Sequence, residues 1–177
     1  MLFRSKRFRP ILTYTTASLF DVKLRQVDDL TRKLMDDMLE TMYLAPGIGL
    51  AAIQIGVPKR IIVLDISKDP EKKEPMYFVN PVIVSTSKNN ITYEEGCLSV
   101  PGQFVEIDRP DRCHVKYLDY NGNYKEFKSE GLLATCIQHE IDHLEGILFI
   151  DYLSNLKKSM IIKKLSKQKK ELERIVV

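Results

Sequence analysis

The feature that most constrains this chain is the stretch His139-Glu140-Ile141-Asp142-His143, which has the pattern H-E-x-x-H. Leucine and isoleucine residues on both sides of it have the spacing of a helix that packs into a core. Residues four apart share one helix face, so both imidazoles can bind the same metal ion while Glu140 reaches a metal-bound water. The pattern therefore predicts a buried helix that carries half of a metal site.

The third metal ligand decides which chemistry is possible, and the chain offers two alternatives. A catalytic divalent site usually has three protein ligands and one open position. His114 lies in an alternating segment in which Cys113 and Val115 share one face, so we expect His114 to face solvent. Cys97 follows Gly96 at the end of a strand-like segment and precedes a turn. We therefore favour Cys97 as the third ligand.

The size and composition of the chain are those of a globular protein. At 177 residues, with 44% hydrophobic and 29% charged residues, it fits one domain over residues 1–177. No apolar run has the length of a membrane span. The three cysteines form no paired framework, and the N-terminus has no secretion signal. These features predict reduced thiols and a cytoplasmic location, with an organelle as the less favoured alternative.

Charge is distributed unevenly along the chain. Residues 1–10 form a basic arm of charge +4, and residues 153–177 hold eight Lys/Arg and two Glu, giving +6. The net charge is +3, so residues 11–152 carry 3 − 4 − 6 = −7. Basic ends on an acidic body can steer a molecule toward a polyanion.

The order of the expected elements predicts an α+β fold. An amphipathic helix is expected over 27–44, and mostly antiparallel sheets should pack around the central H-E-x-x-H helix. Expected strands cover residues 60–66, 77–84, 91–99, 112–119 and 124–129, and the later helices cover 131–145 and 153–175. We expect a break at Asn80-Pro81 and a turn at 100–102.

Two further segments carry specific expectations. The glycine-rich segment 47–56 lacks the Lys-Ser/Thr end of a P-loop, so it predicts close backbone approach to a ligand or strand. The C-terminal helix should dock on the body through an apolar stripe with its lysines facing outward. That stripe would consist of Leu153, Leu156, Met160, Ile161 and Leu165.

Three separated motifs make the chain resemble the bacterial peptide deformylases. They are residues 47–54 (GIGLAAIQ), residues 95–99 (EGCLS) and residues 138–143 (QHEIDH), and they occur in the family's order. The resemblance extends over roughly residues 24–156 and implies hydrolysis of the N-formyl group on the initiator methionine of new proteins, with release of formate.

The resemblance also implies a role for each matching residue. Cys97, His139 and His143 would bind one divalent ion. Glu140 would be the general acid/base, and the Gln54 amide and the Leu98 backbone N–H would stabilise the oxyanion. Fe²⁺ is the expected native ion, with Zn²⁺, Ni²⁺ or Co²⁺ as alternatives in a purified sample.

The same resemblance implies a pocket for formylmethionyl peptides. Its expected lining is Ile48, Gly49, Leu50, Tyr93, Phe104, Leu132, Thr135 and Cys136. Tyr93 and Phe104 depart from the family's usual residues, and we expect Phe104 to line the groove as an apolar group. Glu95 should form a structural ion pair with Arg109. Asp142 could either support the site or be solvated.

Two other functions share the H-E-x-x-H pattern. One is a zinc endopeptidase and the other is a non-catalytic metal-binding interaction module. The thiolate candidate before the helix argues against the first, and the presence of Gln54 and Glu140 argues against the second. The resemblance adds a partner, because a basic C-terminal helix of this kind can bind the ribosome. We expect neither membrane binding nor specific DNA binding.

Overall fold

The computed structural model describes residues 22–67, 69 and 71–175, so the basic arm at 1–10 lies outside the described residues. The described helices are α1 (Asp29–Leu44), α2 (Gly131–Leu144) and α3 (Asn155–Ile175). Two short 3-10 helices cover Ala52–Ile55 and Phe149–Tyr152. The described strands are β1 (Gly49–Ala51), β2 (Ile61–Leu64), β3 (Met76–Thr86), β4 (Asn90–Cys97), β5 (Val100–Pro110), β6 (Arg112–Leu118) and β7 (Tyr124–Glu130).

The strands form two antiparallel sheets. One has five strands in the order β1-β2-β3-β6-β7, and the other is the β4–β5 pair. Strands β6 and β7 form a hairpin around Asn121-Gly122, a dipeptide typical of tight hairpin turns, with Arg112 opposite Glu130 and Leu118 opposite Tyr124. All pairings between the described strands are antiparallel, and helices accompany them, so the predicted α+β class is confirmed.

Helices α1 and α2 pack on opposite faces of the larger sheet because side chains alternate along its strands. Ile62 and Leu64 of β2 pack with Ile137 and Ile141 of α2 in one core cluster. The intervening Ile61 and Val63 pack with the methionines of α1, which are Met35, Met38 and Met42. The helix bearing H-E-x-x-H is thus held against a sheet by a continuous apolar layer.

A third apolar cluster joins the smaller sheet to the C-terminal part of the chain. Val100 and Ile107 of β5 pack with Phe149 and Ile150, and Leu165 of α3 completes the cluster. Leu153, Ile161 and Ile162 lie against it. The predicted docking stripe is therefore wrong at two positions, because Leu156 is 71% and Met160 is 62% exposed.

Three local predictions also require correction. Strand β3 continues through Asn80-Pro81, because a register shift between Val79 and Val82 accommodates the proline. The turn expected at 100–102 lies instead at Leu98–Ser99. Strand β5, which pairs with β4 along nearly its whole length, was not expected from the sequence.

Asn80 has φ +52, and its side-chain amide donates to Leu24 O at 2.7 Å while its Oδ1 accepts from Leu24 N at 2.9 Å. Asparagine tolerates this left-handed conformation better than most residues. Within the part of the chain that the structure describes, no helix combines the length and apolar character needed to span a membrane.

Candidate active site

The three predicted metal ligands converge where the two sheets meet helix α2. Cys97 is the last residue of β4, and His139 and His143 lie one turn apart on α2. The Cys97 Sγ is 3.1 Å from His143 Nε2, and one donor atom from each of the three residues lies within 4.8 Å of the others. His114 is not part of this cluster, and its Nε2 instead pairs with Glu126 at 3.0 Å.

The donor set and its spacing fit a divalent ion. Metal–sulfur bonds of about 2.3 Å and metal–nitrogen bonds of about 2.0–2.1 Å place tetrahedral ligand atoms roughly 3.5 Å apart. Cys97 Sγ and His143 Nε2 are 3.1 Å apart, and the three ligand atoms all lie within 4.8 Å of one another, so they can converge on one ion. A thiolate with two imidazoles suits Fe²⁺, Zn²⁺, Ni²⁺ and Co²⁺, so the donors do not select one ion.

A chain of charged side chains orients His139 from behind. Its Nδ1 lies 2.7 Å from Glu95 Oε2, which leaves Nε2 for the ion. Arg109 donates to both carboxylate oxygens of Glu95, at 2.5 and 3.1 Å. It also donates from Nη1 to Asp142 Oδ2 at 2.7 Å. Asp142 therefore supports the site and is not simply solvated.

The pKa values reflect this arrangement. Burial by itself would raise the pKa of Glu95, but hydrogen bonds from His139 and Arg109 outweigh it and hold that pKa below its usual value. Burial opposes protonation of His139, yet the contacts with Cys97 and Glu95 raise its pKa to about 10. Burial, with the charges of His139 and Arg109, lowers the pKa of His143. A metal ion would thus displace a proton from His139 on binding.

Glu140 has a contrasting environment on the same helix. It is 5% exposed, and its Oε2 has no hydrogen-bond partner among the described residues. Burial raises the pKa of Glu140 to about 7, because the carboxylate loses hydration and repulsion from Glu95 adds to this effect. A carboxyl group with a pKa near neutrality can both accept and donate a proton.

Gln54 closes the site from the side of β1. It lies in the 3-10 helix Ala52–Ile55, and its Oε1 accepts from Ala51 N at 2.8 Å. That bond fixes which end of the amide is the donor. The Nε2 therefore points at Cys97 Sγ at 3.5 Å and Ser99 Oγ at 3.1 Å. Leu98 lies in the turn between these two residues.

The expected pocket residues differ in how much surface they present. Leu50 is fully buried and packs toward α1, so its side chain adds nothing to a groove and only its backbone groups can contact a peptide. Ile48 is 44% and Phe104 66% exposed. The remaining residues lie on α2 or face it, and they are Gly49, Tyr93, Leu132, Thr135 and Cys136. Thr135 Oγ1 is buried and has no partner among the described residues.

Two residues that contact His139 and Asp142 were not predicted from the sequence. The Phe149 ring stacks near His139 with centroids 6.2 Å apart and planes at 24°. Tyr152 donates its hydroxyl to Asp142 Oδ2 at 2.8 Å, and Arg109 lies 4.7 Å from its ring centroid. Both belong to a short 3-10 helix after α2. Nothing in the local sequence indicated that this segment folds back on the site.

Burial also distinguishes the cysteines. Cys136 is 7% exposed, and burial raises the pKa of its thiol to about 12, with the charge of Glu140 as a further cause. Burial likewise raises the pKa of Cys113, whose Sγ lies 3.1 Å from Ser129 Oγ. Cys97 is the partly exposed cysteine that joins the two histidines.

Comparison with known proteins agrees with this geometry. A family model described as polypeptide deformylase matches residues 8–159. A peptide deformylase of Pelagibacter ubique (strain HTCC1062) is 72% identical over 156 residues, covering 87% of this chain and 88% of that protein.

Solved structures give the same result. A peptide deformylase crystal structure from Ehrlichia chaffeensis is 44% identical, with TM-score 0.83, and covers 90% of this chain and 94% of that one. A second structure from that organism, in complex with actinonin, is 48% identical, with TM-score 0.78 and coverages of 82% and 87%. The chain belongs to the polypeptide deformylase family and is therefore a metal-dependent hydrolase.

Proposed function

We propose that this enzyme removes the N-formyl group from the initiator methionine of newly synthesised proteins and releases formate. Family membership supports the reaction class. The observation that carries the proposal is the environment of Glu140, a buried carboxyl whose Oε2 has no partner among the described residues and which lies between the two candidate metal-ligand histidines. A group in this position is suited to proton transfer rather than to structural support.

The proposed mechanism assigns one task to each residue. A divalent ion held by Cys97, His139 and His143 would supply Lewis acidity and lower the pKa of a water molecule. Glu140 takes the proton of the attacking water and later delivers it to the leaving amine. Its raised pKa, about 7, allows both transfers near neutral pH.

Stabilisation of the oxyanion is assigned to Gln54 and Leu98. As the formyl carbon becomes tetrahedral, its oxygen gains negative charge, and each well-placed donor contributes about 3–4 kcal/mol. The Gln54 amide is oriented by Ala51 N and presents its N–H groups toward Cys97 and Ser99. The Leu98 backbone N–H lies in the adjacent turn. Neither donor titrates, so both keep their function across the working pH range.

The substrate pocket is assigned to side chains of α2 and of the strand edges next to it. Methionine needs a long apolar pocket with few polar groups. Leu132, Thr135 and Cys136 precede His139 by seven, four and three residues and so occupy the same side of α2. Tyr93 on β4 and Ile48 before β1 would complete the pocket, while the exposed ring of Phe104 would contact the peptide beyond methionine.

We assign Fe²⁺ as the native ion and the cytoplasm of a bacterium as the location. A thiolate ligand stabilises a ferrous ion but leaves the site sensitive to oxidation. The relatives described above are bacterial proteins, which supports the location. Zn²⁺, Ni²⁺ or Co²⁺ in a purified sample would reflect exchange during isolation.

The ribosome is the proposed cellular partner of helix α3. Its exposed lysines include Lys157, Lys163 and Lys167, and binding to ribosomal RNA through such groups weakens steeply with salt. Deletion of residues 157–177 should reduce co-sedimentation with ribosomes at low salt. Unchanged co-sedimentation would contradict the assignment without affecting the proposed reaction.

The deciding experiment is anaerobic purification with metal analysis, followed by a formate-release assay on formyl-Met-Ala-Ser. We expect one divalent ion per chain and formate release that stops after chelation and resumes with Fe²⁺. A zinc endopeptidase would instead cleave unblocked internal peptide bonds, and a non-catalytic module would bind metal without turnover. Either result would overturn the proposal.

A further inference from the structure

The side-chain packing around Glu140 contains one contact that the proposed mechanism does not use. Gly49, the first residue of β1, faces helix α2 at the position of the Glu140 carboxylate. A Cβ atom added to Gly49 would lie 2.9 Å from both Cγ and Cδ of Glu140 and nearer still to its Oε1. Real Cβ atoms essentially never approach other heavy atoms within 3.0 Å.

Conformation does not explain a glycine at this position. Gly49 does not have a positive φ, unlike Gly56, Gly102, Gly122 and Gly131. Any residue can adopt its extended backbone, which pairs with Leu64 in the ladder between β1 and β2. The requirement for glycine is therefore one of space.

The carboxylate has little room to avoid an added methyl group. Glu140 is 5% exposed, and its neighbour Ile141 is packed in the core beneath α2. The strand is held equally firmly, because Ala51 lies in that same core and Leu50 is buried against α1. In a tightly packed interior, an added atom displaces the side chain that has the fewest hydrogen-bond partners to hold it in place. The carboxylate of Glu140, whose Oε2 accepts no hydrogen bond from the residues that the structure describes, is that group.

We infer that Gly49 is a positioning residue for Glu140, because its missing side chain leaves the space in which the carboxylate lies beside His139 and His143. The inference rests on the proposed function, since the position of Glu140 matters to catalysis only if Glu140 transfers the proton. This role follows from the absence of a side chain at Gly49, and it is separate from any contact that the Gly49 backbone makes with substrate.

The test is a double-mutant cycle on the metal-loaded enzyme. Its members are the wild type, Gly49→Ala, Glu140→Asp and the double variant, each assayed for kcat and KM with formyl-Met-Ala-Ser. Displacement of a catalytic group by roughly 1 Å costs about 100-fold in rate. We therefore expect Gly49→Ala to lower kcat by about that factor, with KM and bound metal nearly unchanged. Aspartate is one methylene shorter, so the double variant should lose much less than the product of the two single losses.

Gly47→Ala is the matched control in the same segment. A Cβ on Gly47 would meet Leu98 Cδ1 at 3.3 Å and Met42 Cγ at 3.4 Å, which are side-chain atoms that can shift. We expect it to lower Tm less than Gly49→Ala does, because these contacts are longer than those of Gly49 with Glu140. A Gly49→Ala enzyme with wild-type kcat, an effect confined to KM, or losses that multiply in the double variant would each overturn the inference.

Thermal unfolding supplies a readout that does not depend on activity. The overlap should lower the Tm of Gly49→Ala, and the double variant should regain most of that loss because aspartate vacates the space. A Tm that falls further in the double variant would contradict the inference. A wild-type enzyme that releases no formate would contradict the proposed function. The Tm values would still show whether a side chain at position 49 overlaps with Glu140.

Discussion

Two buried glutamates flank the metal site, and their surroundings are opposite. Glu95 on β4 binds Arg109 through both carboxylate oxygens and receives a hydrogen bond from His139, so its pKa is lowered despite burial. Glu140 on α2 is buried to the same degree, but its Oε2 has no partner among the described residues, and burial raises its pKa to about 7. Similar exposure is therefore accompanied by a lowered pKa in one carboxyl group and a raised pKa in the other.

Hydrogen-bond partners, and not the degree of burial, distinguish these two carboxyl groups. A buried charge is stable only when paired, and a buried carboxyl without a partner tends to hold a proton. Glu95 is suited to fixing a metal ligand, while Glu140 is suited to catalysis. The following substitutions test this division.

Glu140→Gln should have the largest effect. The amide keeps the size of the side chain but cannot carry a proton between water and amine, and general acid–base catalysis contributes up to about 10⁴-fold. We expect kcat to fall by about 10³-fold or more while bound metal stays at the wild-type level. Steady-state formate release and metal analysis measure both. Glu145→Gln, on a half-exposed residue just beyond α2, should keep the wild-type kcat. Surviving turnover in Glu140→Gln would remove Glu140 from the mechanism.

Arg109→Met should come next, acting on stability. Removing the guanidinium leaves Glu95 buried without its strongest partner, and breaking a buried pair costs about 3–5 kcal/mol. Urea unfolding of the metal-loaded protein measures the loss. Arg112→Met is the control, because the ion pair of Arg112 with Glu130 is exposed and such pairs contribute about 0–1 kcal/mol. Equal losses in both variants would mean that burial of the Glu95 pair has no special consequence.

Glu95→Gln should weaken metal retention more than catalysis. The amide still contacts His139 but no longer carries the negative charge that orients and strengthens the imidazole. Partners of this kind are worth about 10–100-fold in metal affinity. Release of Co²⁺ or Zn²⁺ to a chelator should accelerate by a similar factor, and Glu94→Gln, on the exposed neighbour, should match the wild type. A large decrease in kcat at full metal loading would assign Glu95 to proton transfer instead.

Tyr152→Phe should have the smallest effect. It deletes one hydroxyl that donates to Asp142, a bond worth about 0.5–1.5 kcal/mol, and the side chain is 49% exposed, so we expect the lower end of that range. Chemical unfolding measures the change, and Tyr124→Phe at a 90% exposed position provides the baseline. Identical stability of the two variants would show that the Tyr152 hydroxyl adds nothing to the interaction between Arg109 and Asp142.

Helical spacing made part of this site predictable. His139 and His143 are four residues apart, so a helix alone places them on one face, and Glu140 follows from the same geometry. Gln54 was assigned through motif resemblance, and Cys97 through its place at a strand end together with that resemblance. Gln54 and Cys97 are 43 residues apart, and Cys97 and His143 are 46 apart, so no local spacing connects them. The hairpin between β6 and β7 was predictable because an Asn-Gly turn is a short-range signal.

The incorrect stripe on α3 and the missed strand β5 have the same physical cause. Leu156 and Met160 have the spacing of an apolar stripe but lie on a face of α3 that none of the described elements covers. Strand β5 was unexpected because its pairing partner β4, rather than its own alternation, holds it in a sheet. Local pattern cannot report which face of an element finds a neighbour.

The sequence by itself determined the identity of the metal-binding helix, the α+β class and the family, because these depend on residue type and short-range spacing. Only the tertiary structure showed that the Glu95–Arg109 pair, which the family resemblance implied, continues to His139 and Asp142, and that Glu140 Oε2 has no partner among the described residues. It also revealed that Gly49 provides the space for Glu140 and that Tyr152 reaches Asp142. These relations join residues on different elements, and long-range packing with burial sets their distances and charges.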